Sequence, residues 1–174
     1  MVVDRSGLAA IEFAMIVPIM LLLFFGTDEF SSGVAVNRKV TLMARTLSDL
    51  TSQNITVTDP QFTNFFNASK AIMTPYPSTP VNSTISELYI DPATKAARVQ
   101  WSKGAAPRGL GTTVTIPTEL QVGGTYLIYS EVSYTFVPTI GYVMKSSITL
   151  KDYTFTRPRQ SLCVMYNTTV CTTN

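Results

Sequence analysis

Residues 8–25 form a continuous apolar run of eighteen positions in which Glu12 is the only charged side chain. At about 1.5 Å per residue a helix of this length covers roughly 27 Å, enough to cross the hydrocarbon core of a bilayer. After Gly26 the composition changes but a helical rhythm persists. Val36, Val40, Met43, Ala44, Leu47 and Leu50 recur at steps of three and four, with Arg38, Lys39, Arg45 and Asp49 elsewhere on the wheel. The pattern predicts one helix over residues 8–50, apolar all round in its first half and amphipathic in its second. Its stripe is the surface on which a globular part would pack. Pro18 falls inside the apolar run, where membrane helices tolerate proline if the freed carbonyl is satisfied nearby. A kink or local unwinding is predicted at residues 11–18.

The period then changes from helical to alternating. Residues 51–82 are irregular, with a turn at Asp59-Pro60, a short helix at residues 61–73 bearing Phe62, Phe65, Phe66 and Ile72, and a proline-bearing linker at residues 76–80. Residues 83–91, with Ile85, Glu87 or Leu88, and Ile90 alternating, read as a strand. Residues 91–95 turn, and residues 96–103 return with Ala97, Val99 and Trp101 against Arg98 and Gln100. Residues 103–111 read as a loop carrying Arg108, and residues 112–116 as a short edge segment. A long strand over residues 125–137 opposes Tyr126, Ile128, Ser130, Val132, Tyr134 and Phe136 to Leu127, Tyr129, Glu131, Ser133 and Thr135. The first set is the more apolar and is expected to face the core. Residues 138–145 connect to a last strand at residues 146–157. The fold class predicted is α+β: a long N-terminal helix packed against a roughly four-stranded antiparallel sheet.

Composition narrows the chemistry. The 174 residues suit one anchor and one domain, and the net charge is +2 with 14 % charged residues, against about a quarter in typical soluble proteins. No basic tract marks a nucleic-acid interface. The absence of histidine removes the commonest general base and metal ligand. Asp59, Glu87, Asp91, Glu119, Glu131 and Asp152 show no spacing that demands paired acid/base work; Glu131 is expected to pair with Arg98 or Lys151 across strands. Gly109-Leu110-Gly111 lacks the lysine of a phosphate cradle. Arg157-Pro158-Arg159 is a basic pair open to phospholipid heads, a partner carboxylate or plain solvent. The N-x-S/T triplets at Asn54, Asn67, Asn82 and Asn167 are read as chance in a threonine-rich chain. Cys163 and Cys171 bracket a seven-residue loop. Two thiols make a poor zinc site and the spacing is not C-x-x-C, so a structural disulfide in an oxidising compartment is the favoured reading. No enzyme, cofactor, metal, nucleic acid or small-molecule substrate is expected.

Glu12 is then the unusual residue. An ionised acid at membrane depth costs roughly 2.5 to 3.5 kcal/mol on insertion scales, so it is usually there for a partner. Cleavage between Gly7 and Leu8 would supply one, since an α-amino group with an unperturbed pKa of about 7.7–8.0 is largely protonated at neutral pH. A neighbouring copy can align that amine with Glu12. Gly7-Leu8-Ala9-Ala10-Ile11-Glu12-Phe13, the apolar residues that follow, and Glu29-Phe30 resemble the TadE-like pseudopilins of tight-adherence (Flp-type) pilus systems. Residues 134–138, 147–152 and 157–160 are similar to long members of that family at the level of pattern. The resemblance implies a leader at residues 1–7 removed by a prepilin peptidase after Gly7, a membrane-spanning and amphipathic helix at residues 8–50, and a pilin-like periplasmic domain at residues 51–174. It also implies that Glu12, followed by the aromatic Phe13, is the assembly acid, and that the partners are the inner membrane, the peptidase and other pilins or pseudopilins. Arg5 before the run and Asp28 and Glu29 after it favour a cytoplasmic N-terminus. The chain is longer than the major subunits of such fibres, which points to a minor or initiating role in a pilus used for surface adhesion. The alternatives are a membrane-anchored periplasmic binding module and a type II secretion pseudopilin.

Overall fold

The computed structural model describes residues 6–138, 146–169 and 171. Residues 1–5 of the expected leader and residues 139–145 of the predicted connection lie outside the described residues. The first element, α1 (Ser6–Ser52), is a single helix of 47 residues with Pro18 inside it. The helix is unbroken at residues 11–18, so the predicted unwinding does not occur. Proline there removes one amide donor but leaves the surrounding turns intact.

The remaining elements are β1 (Thr56–Val57), α2 (Asp59–Ala71), β2 (Val81–Ile90), β3 (Ala97–Gly104), β4 (Thr113–Val114), a single 3-10 turn at Thr118–Leu120, β5 (Tyr126–Phe136), β6 (Ile148–Thr156) and β7 (Met165–Tyr166). An antiparallel sheet runs in the order β4-β3-β2-β5-β6, and β1 and β7 form a separate parallel pair. The α+β class expected from the sequence is the one observed, with five strands in the sheet where four were expected. Helix α2 starts two residues earlier than predicted. Asp59-Pro60 is its first turn, where proline's missing N–H costs nothing. The Gln61 side chain reaches back to accept from the Thr58 N–H at 2.9 Å.

One face of the sheet packs on the helices. Val36, Val40, Met43 and Ala44 of α1 meet Val81, Val132, Tyr134 and Phe136. One turn further along, Leu47 joins Ile85, Trp101 and Ile128, with Phe62 from α2 and Val164 from the C-terminal segment. The even-numbered residues of β5 therefore face the core, as their apolarity predicts. Polar ties fix the contact: Ser130 Oγ donates to the Ala44 carbonyl at 2.6 Å, Ser48 Oγ to Thr156 Oγ1 at 2.8 Å, and Thr41 Oγ1 to Asp152. Lys39 Nζ donates to the carbonyls of Ile72 and Thr74, each at 2.8 Å. This places a cation at the C-terminal end of α2, the favourable end of its dipole. Arg159 pairs with Asp49, and its N–H donates to the Ser52 carbonyl at 2.9 Å. That arginine thus clamps the chain after β6 onto α1.

The opposite face is also buried over half its extent. Leu127 and Tyr129, in the set read as outward, pack with Leu88, Ile90 and Val99 beneath Val114, Ile116 and Leu120. Residues 105–122 fold back over the sheet to supply that cover. Gly104 makes the reversal possible. Its φ of +136° suits glycine, and a Cβ there would collide with the Ser83 carbonyl.

Glu87 lies on the helix-facing side of β2, only 2 % exposed, with its Oε1 accepting the Val164 N–H at 2.5 Å. The Trp101 indole N–H donates to the Val164 carbonyl at 2.7 Å. Both peptide groups of that residue are therefore held by side chains of the hairpin. Burial pushes the Glu87 carboxyl up to about 8, against the opposing pull of Val164 and Trp101. An acid with a raised folded-state pKa binds its proton more tightly when folded. Its contribution to stability is therefore complete below the ordinary value of 4.5 and is lost as pH rises through about 8. Glu87→Gln, which keeps the acceptor and removes the charge, is expected to flatten the stability profile across this window and to raise stability at pH 8 by a few kcal/mol. Urea unfolding of wild type and variant in detergent micelles at pH 5 and pH 8 checks this; parallel profiles would refute it.

Candidate functional site

The candidate site is the part of α1 that no other described element covers. Leu8, Ile11, Phe13, Met15, Ile16, Ile19, Met20, Leu21, Leu22, Leu23 and Phe24 are each between 48 % and 70 % exposed. The described chain offers these side chains no protein contact beyond their own helix turns and the edge-on pair of Phe24 and Phe25, at 5.4 Å. Burial on α1 is established by Glu29, 3 % exposed, and at Gly33 the Phe136 ring lies 3.8 Å from the position a Cβ would take. The apolar run thus projects from the domain as a free rod. It is long and apolar enough to cross a membrane.

The predicted site residues sit at the far end of that rod. Gly7 has open space around it, with nothing within 4 Å of a Cβ placed there. Leu8 is 60 % and Phe13 70 % exposed, and Glu12 is exposed as well. Leu8 and Glu12 are four residues apart and share a helix face, offset by about 6 Å along the axis. At the other end of the run the two acids part company. Asp28 is exposed, whereas Glu29 is 3 % exposed and turned into the protein. Thr27, beside Asp28, returns its hydroxyl to the Leu23 carbonyl at 2.7 Å. The polar face of α1 therefore opens just where the eighteen apolar residues end.

The remaining sequence candidates lie in the domain, away from the rod. Cys163 and Cys171 are joined by a disulfide, next to the buried Tyr89 and Tyr126. Glu131 pairs neither with Arg98 nor with Lys151. It takes a two-point contact from Arg108, Nε at 2.8 Å and Nη2 at 2.6 Å. The guanidinium also lies 5.5 Å from the centre of the Tyr129 ring. Its own charge state is held further up by that carboxylate, while burial and then Glu131 push the Tyr129 phenol up to about 12. The pairing was missed because Arg108 comes from a loop, and only the reversal at Gly104 aims that loop back across the sheet. The glycines at 104, 109 and 111 were the available signal. A second cluster was also missed. Asp59 accepts from the Tyr166 hydroxyl at 2.9 Å and from Lys103 at 3.2 Å. The hydroxyl and then the lysine hold its carboxyl below the usual range. Among the described residues no group of three His, Cys, Asp or Glu side chains converges as a metal site.

The family described as TadE-like protein matches residues 7–47. That span begins at Gly7, contains the whole apolar run and Glu12, and ends at Leu47 in the core contact with the sheet. Comparison with curated proteins and with solved structures gives no match. Through α1, with the acid it carries and the apolar rod that no other described element covers, the chain is similar to TadE-like proteins over residues 7–47.

Proposed function

We propose that the chain is a pseudopilin or minor pilin of a Tad (Flp-type) pilus. Residues 1–7 are a leader cut by a prepilin peptidase after Gly7. Residues 8–50 form the membrane-spanning and amphipathic helix, with its N-terminus cytoplasmic, and residues 51–174 form a periplasmic domain. The mature subunit joins other pilins or pseudopilins during assembly of a pilus used in surface adhesion.

The observation that carries this reading is Glu12: a carboxylate on the open face of an otherwise apolar, uncovered helix, one turn from Leu8. A plain anchor gains nothing from an acid at this depth. A subunit that must register against its neighbour does. In a low-dielectric surrounding, an unpaired charge is strongly disfavoured and a paired one is tolerated. The Leu8 amine of an adjoining subunit, shifted along the helix axis by about one turn, meets the Glu12 carboxylate and fixes the stagger between helices. Phe13, on a different face, remains available for apolar contact between them.

Two outcomes are expected. Mass spectrometry of the chain purified from cells with their prepilin peptidase finds Leu8 as the first residue, and from cells lacking the peptidase finds residues 1–7 still attached. An uncut chain in peptidase-positive cells supports the simple membrane tether instead. Glu12→Ala is expected to be processed and inserted normally while pili and surface adhesion are lost. Normal piliation of that variant would overturn the assembly role.

A further inference from the structure

The face of the sheet turned away from α1 carries an open cleft of about 430 Å³, within the size range of ligand sites. It lies between the loop that carries Arg108 and the outermost strand β6. Its floor is set by register: Thr84 and Tyr153 stand on either side of Glu131 on neighbouring strands, and Asn82 stands beside Ser133. Arg108 forms one wall and Lys151 lines the other side.

Three properties of this cleft point to one ligand chemistry. Its fixed ion pair is internally matched, Arg108 against Glu131. Asp152 borders the cleft but turns its carboxylate to Thr41 on the α1 side of the sheet. That leaves the exposed Lys151 at the rim, and the floor itself selects for neither an anion nor a cation. Its polar groups are held in place with capacity to spare. Glu131 spends one contact per oxygen on Arg108, Arg108 spends two of its five N–H donors on Glu131, and the Asn82 amide is exposed. Finally, the cleft holds a fixed, open aromatic ring. Tyr153 is 59 % exposed, yet it meets Phe155 edge-on at 5.7 Å and Tyr129 at 6.0 Å, and those two rings stack at 4.6 Å. A ring pinned along one side with the rest in water is an apolar platform beside mixed donors and acceptors.

A hexopyranose with every substituent equatorial presents only C–H groups on its ring faces and hydroxyls around its rim. It complements such a platform and rim without requiring net charge. We propose that this cleft binds a neutral, β-linked, gluco-configured oligosaccharide, stacked on Tyr153 and hydrogen-bonded to Glu131, Arg108 and Asn82. The cleft stands on the far side of the sheet from α1, so the assignment is independent of the filament reading. The residues come from four separate segments between Asn82 and Tyr153, and no linear motif announces them.

The test uses the full chain in lipid nanodiscs, with cellotriose and chitotriose as probes and saturation-transfer NMR titration as the readout. Transfer to at least one probe is expected. Tyr153→Ala and Glu131→Gln are expected to weaken affinity by about tenfold or more, and Tyr153→Phe by less than about threefold, because the ring and not the hydroxyl carries the stacking. Unchanged near-UV circular dichroism confirms the fold of each variant. Should Tyr153→Ala lose that signal, the exposed Asn82→Ala takes its place, with the same tenfold loss expected. No transfer to either probe, equal affinity in the replacement variants, or preference for a trimer of uronic acids would each overturn the proposal.

Discussion

Helix α1 is one rigid element divided between two surroundings, and the division constrains everything else in the molecule. Its second half gives Val36, Val40, Met43, Ala44 and Leu47 to the sheet. Its first half presents eleven large apolar side chains that nothing in the described chain covers. At about 1.5–3 kcal/mol for each such side chain removed from water, lipid or neighbouring helices have on the order of 15–30 kcal/mol to gain by covering them. Set against that, the roughly 2.5 to 3.5 kcal/mol cost of one carboxylate at membrane depth is small. Glu12 therefore does not decide whether the helix enters an apolar phase. In the proposed assembly role it governs what the helix tolerates beside it once there, so that its effect would fall on registration between subunits and not on anchoring.

The same division explains why the helix-facing contact is tied by hydrogen bonds as well as packed. Apolar burial alone permits a helix to slide or rotate on a sheet at modest cost, because the interaction is non-directional. Ser130 to the Ala44 carbonyl, Ser48 to Thr156, Thr41 to Asp152 and Lys39 to the end of α2 are directional, and they act at separate points along the interface. Ala44, buried and small, lets β5 come close enough for the Ser130 hydroxyl to reach the helix backbone. Under the proposed assembly, a stagger set at residues 8–12 between neighbouring rods would thereby be carried to the domains.

What the sequence made legible follows the range of the interactions concerned. The helix, the hairpin of β2 and β3 and the long strand β5 are written in short periods, and their core-facing sets, such as Val132, Tyr134 and Phe136, follow from alternation. The α2 boundary was misplaced because Pro60 reads as a turn signal when its helix cap is not in view. The β1–β7 pair was invisible: two residues on each strand give no period, and the partners lie more than a hundred positions apart. Leu127 and Tyr129 read as outward because alternation reports one buried face at a time, whereas residues 105–122 cover the second. The Arg108–Glu131 pair depends on a backbone reversal at Gly104 that no pattern of side chains encodes. Of the residues singled out on the rod, their position in a helix was legible from the run itself. That no other described element covers them is a tertiary fact.

The long-range features that were illegible are also those that free the outer face of the domain for a separate role. The fold-back of residues 105–122 completes a second small core on that face, reaches Glu131 through the Arg108 side chain, and leaves Tyr153 and Asn82 open to solvent. Had the segment been longer by one strand's width, it would have buried charged and amide groups with no guarantee of partners, at a cost comparable to the apolar gain. Instead the boundary falls where apolar positions on β2 and β5 give way to Thr84, Glu131 and Ser133. The chain therefore presents two unlike surfaces on opposite sides of one sheet. One is an apolar rod that demands cover from lipid or another helix, and the other is a polar, aromatic cleft that is stable in water. A subunit built this way can be held by its helix within an assembly while the opposite surface stays accessible, since neither use competes with the other for the same residues.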